Sequence, residues 1–162
     1  MLFRSLGLDA YFRRVADLQD EGQFGPALLF APFNYADGRI YGIESTLGWR
    51  AGTTSAYLNA AWSRAQGRDI VSGQYNFAAA ELAAIATQWI SLDHDQRVSV
   101  SGGVAKSIGA SHLSVDFVAG SGLRAGYLNA DHLPGYLTVN LALRRTIASG
   151  RSEEHTSELQ SH

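Results

Sequence analysis

Apolar and polar residues alternate in three runs between Arg97 and Arg144, which are separated by one short turn and one long Gly-rich loop. Successive side chains of a β-strand point to opposite faces, so each run predicts a strand with one apolar and one polar face. Alternation over about ten residues is typical of strands in a membrane barrel, whose apolar face contacts lipid. The pattern therefore predicts an all-β fold.

Three earlier segments alternate in the same way, so we expect about six or seven antiparallel strands. The six clearest runs are 6–15, 39–50, 53–66, 98–105, 111–118 and 137–144. Membrane barrels use at least about eight strands. We therefore predict an antiparallel up-and-down transmembrane β-barrel fragment that does not close on its own.

The face parity of neighbouring runs constrains the turns between them. A two-residue turn at Ala51-Gly52 would place all apolar residues of both strands on one face. The same reasoning predicts an even loop in the next hairpin, either Ile108-Gly109 or the four residues 107–110. The first turn would pair three sets of apolar residues: Tyr41 with Trp62, Ile43 with Ala60, and Leu47 with Ala56.

Three longer connections are expected at 16–38, 67–95 and 119–135, all at the end opposite to the short turns. Short turns at one end and long loops at the other are typical of outer-membrane barrels. The three prolines, Pro26, Pro32 and Pro134, fall in these predicted loops, where no ladder hydrogen bond is lost. An Ala-rich segment, 77–87, favours a short helix within the second loop.

The two faces of the predicted sheet differ in a way that favours lipid on one side and a water-filled lumen on the other. Lys106 is the only lysine, whereas exteriors of soluble proteins usually carry more. Tyr41, Trp49 and Trp62 fall near the two ends of the apolar band, as membrane-interface aromatics do. Eight polar-face residues are predicted to face the lumen: Glu44, Arg50, Tyr57, Asn59, His112, Asp116, Asn140 and Arg144.

Composition excludes several other classes of protein. The chain has no cysteine and a formal net charge of −2, which leaves no thiolate metal site and no basic footprint for nucleic acid. No apolar stretch is long enough for a spanning helix. No secretory signal follows Met1, so we expect either a protein that is not exported or an N-terminus further upstream.

The last twelve residues, 151–162, have no strand or helix period and resemble the translation of a sequencing-library adapter. We expect a disordered, non-native tail here and assign residues 1–150 to the fold.

Several segments resemble the C-terminal barrel region of TonB-dependent receptors. The resemblance rests mainly on the order and spacing of 92–96, 121–124, Asn129, 133–136 and 139–140. Upstream, the motifs at 33–35, Gly38 and 42–44 are similar to that family's asparagine, glycine and G-x-E pattern. Together these segments extend the resemblance over residues 7–147.

The resemblance implies a partial barrel, truncated at both ends, of an active transporter in the bacterial cell outer membrane. The complete barrel would have about 22 strands and a plugged lumen. Its partners would be outer-membrane lipid, a plug domain and the TonB complex, the last two only in the full-length receptor. The substrate would be a scarce small molecule or metal chelate such as a ferric siderophore.

Residues with catalytic or ligand-binding chemistry are few. Asp93-His94-Asp95 could serve a metal or a general base, but a polar cluster at a strand end, with only Asp93 and Asp95 on one side, is the favoured interpretation. We predict no enzyme activity, no cofactor and no metal site. The loop 119–135 is the candidate substrate-binding segment, or else it packs on neighbouring loops, and its candidate residues are Arg124, Tyr127, Asn129 and Asp131.

Two alternatives to a TonB-dependent receptor remain open. One is a porin-like or autotransporter barrel of the outer membrane. The other is a soluble all-β binding module, such as a sandwich or a lipocalin-like barrel, whose strands also alternate.

Overall fold

The computed structural model of the chain describes residues 2–24 and 29–147. These residues form nine strands, one α-helix and two short 3-10 turns. The strands are β1 (Leu2–Phe24), β2 (Leu29–Ala51), β3 (Thr54–Ser72), β4 (Ile90–Ser91), β5 (Val98–Ile108), β6 (Ser111–Gly120), β7 (Arg124–Ala125), β8 (Asp131–His132) and β9 (Tyr136–Arg145). The helix α1 spans Ala79–Thr87, and the 3-10 turns span Gln74–Asn76 and Tyr127–Asn129.

Six long strands form one antiparallel sheet in the order β1-β2-β3-β5-β6-β9. The short strand β4 pairs with β3 beyond the end of β5, and β7 pairs with β8 in a separate two-stranded sheet. Each long strand lies beside the next long strand of the chain, and the sheet does not close. The predicted all-β, antiparallel, up-and-down and open architecture is therefore confirmed.

Strand pairing aligns the apolar residues of all six long strands on one face. One row across the sheet joins Leu6, Leu47, Leu58, Gly102, Phe117 and Val139. Gly102 fits within this row because the Phe117 ring occupies the space where a side chain would stand. Large apolar side chains on this face are exposed: Leu6 is 79% exposed and Leu141 is 75% exposed. The sheet thus presents a broad apolar surface.

Neither short turn lies at its predicted position. The first is Gly52-Thr53, because Ala51 pairs with Thr54. Trp62 therefore faces Ile43 instead of Tyr41, Leu58 faces Leu47, and Ala56 faces Trp49, so the three predicted pairs are wrong. Each residue still lies on the predicted face of the sheet. Moving a two-residue turn by one position changes which residues pair, but it keeps apolar residues opposite apolar positions.

The second hairpin differs from its prediction in the same way. Ile108 pairs with Ser111, so the turn is Gly109-Ala110 and neither predicted loop is correct. In both turns glycine is the first residue and has a positive φ, 55° at Gly52 and 57° at Gly109. Two-residue hairpin turns require this conformation at their first position, which explains the register that the chain adopts.

The predicted loop 16–38 is wrong, because its described residues extend β1 and β2 into one long hairpin. Pairing continues from Ala16 with Asp37 to Phe24 with Leu29. Pro32 lies inside β2, contrary to prediction, and is tolerated there because the pairing of β2 with β3 begins only at Asn34. Pro26 lies outside the described residues, as does the tail 151–162, whereas Pro134 lies in the loop before β9.

The other two long connections are confirmed, although β3 extends further than predicted. Residues 73–97 contain α1, which matches the helix predicted within 77–87, and residues 121–135 contain the β7–β8 pair. Both lie at the end of the sheet opposite the two short turns.

At the start of helix α1 the Ala78 N–H donates to the Glu81 carboxylate at 2.8 Å. Among the described residues no helix is long and apolar enough to cross a membrane.

A break in strand alternation creates a small buried core at the long-connection end. Asp17 in β1 and Asp69 in β3 have positive φ, 53° and 61°. Past these two residues, towards the long connections, Leu18 packs over Gly38 and Tyr35 packs over Gly67. Both glycines belong to the polar face. The core therefore lies on the polar side of the sheet, and its buried members are Phe33, Tyr35, Ile70, Ile85 and Ile90.

Candidate functional site

A pocket of about 580 Å³ opens beside this core, at the end of the sheet that carries the long connections. Its walls come from the β1–β2 hairpin, from α1 and the segment after it, and from the loop 121–135. The lining is mixed and includes both aromatic and charged side chains. The residues that define it are Glu21, Phe30, Phe33, Tyr35, Phe77, Glu81, Ile85, Asp93, His94, Arg124, Asn129 and Leu133.

Asp95 holds two of the walls together. Its carboxylate is 1% exposed, accepts a hydrogen bond from the Ala65 N–H at 2.8 Å, and pairs with Arg97 at 2.9 Å and with Arg124 at 3.4 Å. Two guanidinium groups and one amide thus compensate the buried charge, as a buried carboxylate requires. Asp95 ties the loop 121–135 to β3, a role that the sequence did not reveal.

Asp20 is a second buried carboxylate and precedes Glu21, which lines the pocket. Its Oδ2 accepts a hydrogen bond from the Asp93 N–H at 3.4 Å, and His94 lies nearby. Burial raises the pKa of Asp20 to about 6, against the opposing effect of backbone hydrogen bonds. Burial likewise raises the pKa of the adjacent Tyr35 above its usual value, so the Tyr35 hydroxyl stays protonated.

The four predicted substrate-binding residues divide into two pairs. Arg124 and Asn129 line the pocket, but both also support the fold. The Arg124 side chain is 13% exposed and pairs with Asp95, and Asn129 Nδ2 donates to the Ser91 carbonyl at 2.9 Å. Tyr127 and Asp131 are exposed and are not among the residues lining the pocket. The loop 121–135 therefore packs on neighbouring segments, which was the alternative to a role in substrate binding.

The Asp93-His94-Asp95 segment is a turn instead of a strand end, so the predicted alternation of its side chains is wrong. His94 Nδ1 lies 3.6 Å from the Asp93 carboxylate, whereas Asp95 points into the buried pairing with Arg97 and Arg124. The described part of the chain contains no group of three His, Cys, Asp or Glu side chains placed to hold a metal ion.

The eight residues predicted to face a lumen all share the polar face of the sheet. Tyr57, Gly103 and Asp116 lie in one row, and the Tyr57 hydroxyl donates across Gly103 to Asp116 at 3.1 Å. Asp116 is paired in turn with Asn140, and His112 with Arg144. Gly103 is required for the Tyr57 hydrogen bond, because a Cβ at this position would collide with Asp116 and Tyr57.

The predicted interface aromatics share the apolar face. The rings of Tyr41 and Trp62 lie 5.9 Å apart as diagonal neighbours, and Phe12 extends this row at 6.3 Å from Tyr41. Trp49 lies on the same face near the short turn Gly52-Thr53, opposite Ala56. The aromatics therefore lie at two levels, one towards each end of the apolar surface.

Comparison of the chain with protein-family models, with curated proteins and with solved structures finds no match.

Proposed function

We propose that this chain is one arc of an outer-membrane transport barrel of the TonB-dependent receptor type. In this proposal the apolar face contacts lipid and the polar face lines the lumen. The pocket at the long-connection end forms part of the route by which a scarce nutrient, such as a ferric siderophore, enters. The transporter class and its substrate rest on the sequence resemblance described above.

One observation carries the membrane part of the proposal, namely the continuous, uncovered apolar face. A soluble sheet of this size would bury such a face against a second layer, because exposed apolar surface costs about 25 cal/mol per Å². Here the buried core is small and lies on the opposite side, so residues 2–24 and 29–147 supply no second layer over the apolar face. Lipid is the solvent that would stabilise six such strands.

The test compares two adjacent residues of β3 that face opposite sides. Leu58 lies near the middle of the apolar band, and Asn59 points to the polar face. Leu58→Arg should destabilise the chain in lipid vesicles by about 2–4 kcal/mol, the cost of a lipid-facing arginine near mid-membrane. Asn59→Arg should cost much less, and urea unfolding followed by tryptophan fluorescence measures both.

Equal effects of the two substitutions would contradict the membrane assignment. A wild-type chain that stays soluble and monomeric without detergent would contradict it as well, since the open strand edges and apolar face should cause aggregation in plain buffer. That result would favour the soluble binding module.

The substrate part of the proposal has its own test. Tyr127 is 59% exposed beside the pocket, whereas Arg124 is tied to Asp95. In a full-length receptor Tyr127→Ala should lower ligand affinity while leaving the amount of folded receptor unchanged. If Tyr127→Ala binds ligand as wild type does, Tyr127 has no role in ligand binding.

A further inference from the structure

Four arginines form a band on the apolar side of the sheet, directly beyond the row of Phe12, Tyr41 and Trp62. Arg14 pairs across strands with Arg39, Arg64 pairs with Tyr41, and Arg68 pairs with Asp37. Strand parity places all four side chains on the same face as the aromatic row. The order along the strands is thus apolar residues, then aromatic rings, then cations.

Most of the positive charge in this arginine band has no counter-charge. Arg68 pairs with Asp37 at 2.6 Å, but Arg39 donates two hydrogen bonds to the neutral Gln66, at 2.7 and 3.0 Å. Among residues 2–24 and 29–147, no carboxylate forms an ion pair with Arg14, Arg39 or Arg64.

Two further features of the band concern its hydrogen bonds and its like charges. The Nε atom of Arg64 is buried and has no hydrogen-bond partner within the described part of the chain. Arg14 and Arg39 lie directly opposite each other, and like charges in that position destabilise a sheet. An anion between Arg14 and Arg39 would remove this repulsion.

The ring of Trp89 contacts two of the four arginines in the band, Arg39 and Arg68. The guanidinium of Arg39 lies 4.2 Å from the centre of the Trp89 ring, and that of Arg68 lies 4.9 Å from it. These contacts and the Gln66 hydrogen bonds fix Arg39 before any ligand arrives, which reduces the entropy lost on binding. A groove of about 520 Å³ is open beside them, and its charged and aromatic lining residues are Phe12, Arg14, Asp37, Arg39, Arg68 and Trp89. Three cations thus face one carboxylate, which is already paired with Arg68.

We propose that the arginine band binds the phosphate groups of an anionic lipid whose acyl chains lie on the apolar face. Guanidinium groups form bidentate hydrogen bonds with phosphate, and the band stands where an apolar surface ends, which is where lipid phosphates lie. Continuity with the apolar face selects a lipid over a soluble anion. This inference rests on the proposed membrane location of the apolar face.

The test uses the full chain in neutral detergent micelles and dioleoyl phosphatidic acid, a lipid with a phosphate monoester. Binding is followed by tryptophan fluorescence or native mass spectrometry, with phosphatidylcholine as the neutral lipid. Phosphatidic acid should bind more tightly than phosphatidylcholine, and its affinity should fall as salt is raised. Inorganic phosphate at equal concentration should not displace it.

Arg14→Gln and Arg13→Gln form the matched pair of variants. Both residues are exposed and adjacent in β1, but Arg13 points to the polar face. Arg14→Gln should weaken phosphatidic acid binding roughly tenfold, as expected for one lost charge-assisted contact, and Arg13→Gln should leave it unchanged. Neither side chain makes a hydrogen bond in the described structure, so both variants should fold.

Equal binding by the two variants would overturn the lipid-phosphate site, and so would displacement by inorganic phosphate. Failure of the membrane proposal has a different signature, because Leu58→Arg and Asn59→Arg would then have equal effects in vesicles.

Discussion

Asp20 should make the contact between β1 and the segment 90–95 less stable as the pH rises. The folded state holds the pKa of this carboxyl at about 6, whereas an aspartate in an unfolded chain has a value near 3.8. Below about pH 4 both states are protonated and no difference arises. Between about pH 4 and 6 the folded state retains a proton that the unfolded state has lost, so stability falls as pH rises. Above about pH 6 the full penalty is present.

The size of the penalty follows from the two pKa values. A difference between about 6 and 3.8 corresponds to about 3 kcal/mol, as an upper value for a group that keeps slight contact with water. Asp20→Asn retains an oxygen for the Asp93 N–H and carries no charge. The variant should therefore be more stable than wild type by up to about 3 kcal/mol at neutral pH and should lose most of the pH dependence.

Hydrogen exchange measured peptide by peptide can detect this effect locally. The full chain in detergent micelles is examined from pH 4 to 8, with exchange rates corrected for their intrinsic pH dependence. Peptides covering 18–22 and 90–95 should lose protection between about pH 4 and 6 in wild type but not in Asp20→Asn. Asp9→Asn, an exposed carboxyl on the polar face, is the control. Protection that is constant or rises over this range would refute the reasoning.

Two other substitutions test the packing of the sheet and the pocket. Gly103→Ala should break the hydrogen bond between Tyr57 and Asp116 and destabilise the sheet by about 1–3 kcal/mol, because its Cβ would overlap both side chains; a thermal melting temperature equal to that of wild type would contradict this. Asp95→Ala should leave Arg97 and Arg124 without their carboxylate and cost about 3–5 kcal/mol. Limited proteolysis should then cleave within 121–135 faster than in wild type, and an unchanged rate would show that Asp95 does not hold this loop.

The sequence predicted the faces of the sheet but not its register. Parity along a strand depends only on alternation, and so the apolar face could be predicted within the six alternating runs. A turn at Ala51-Gly52 and a turn at Gly52-Thr53 give the same parity, so alternation cannot separate them. The preference for glycine with positive φ at the first turn position would have selected the observed turn.

The extension of β1 and β2 was hidden by their composition. Gly22, Pro32, Asn34 and Gly38 are turn formers in isolation, yet here backbone pairing and the packing of Leu18 over Gly38 keep them extended. Asp17 and Asp69 lie within β1 and β3, and the side chains that follow them point to the opposite face of the sheet. A periodic sequence pattern does not reveal such a change. Tertiary pairing overrode local preference at these positions.

The pocket could be predicted only in outline. Placement of Arg124 and Asn129 on a long loop brought them correctly to the same end of the sheet as 92–96. The pairing of Asp95 with Arg124 joins residues on two different connections, and no spacing rule predicts it. The burial of Asp20 likewise depends on how the segment 90–95 folds over β1.

The unequal lengths of β1 and β9 would shape the mouth of any barrel built on this arc. The first residue of β9, Tyr136, lies level with Asp9 of β1, and β1 continues from there to Phe24. At about 3.4 Å per residue β1 would extend roughly 50 Å further along the strand direction than β9. The opening would therefore be oblique, and a solute would reach the polar interior over the low side of the rim.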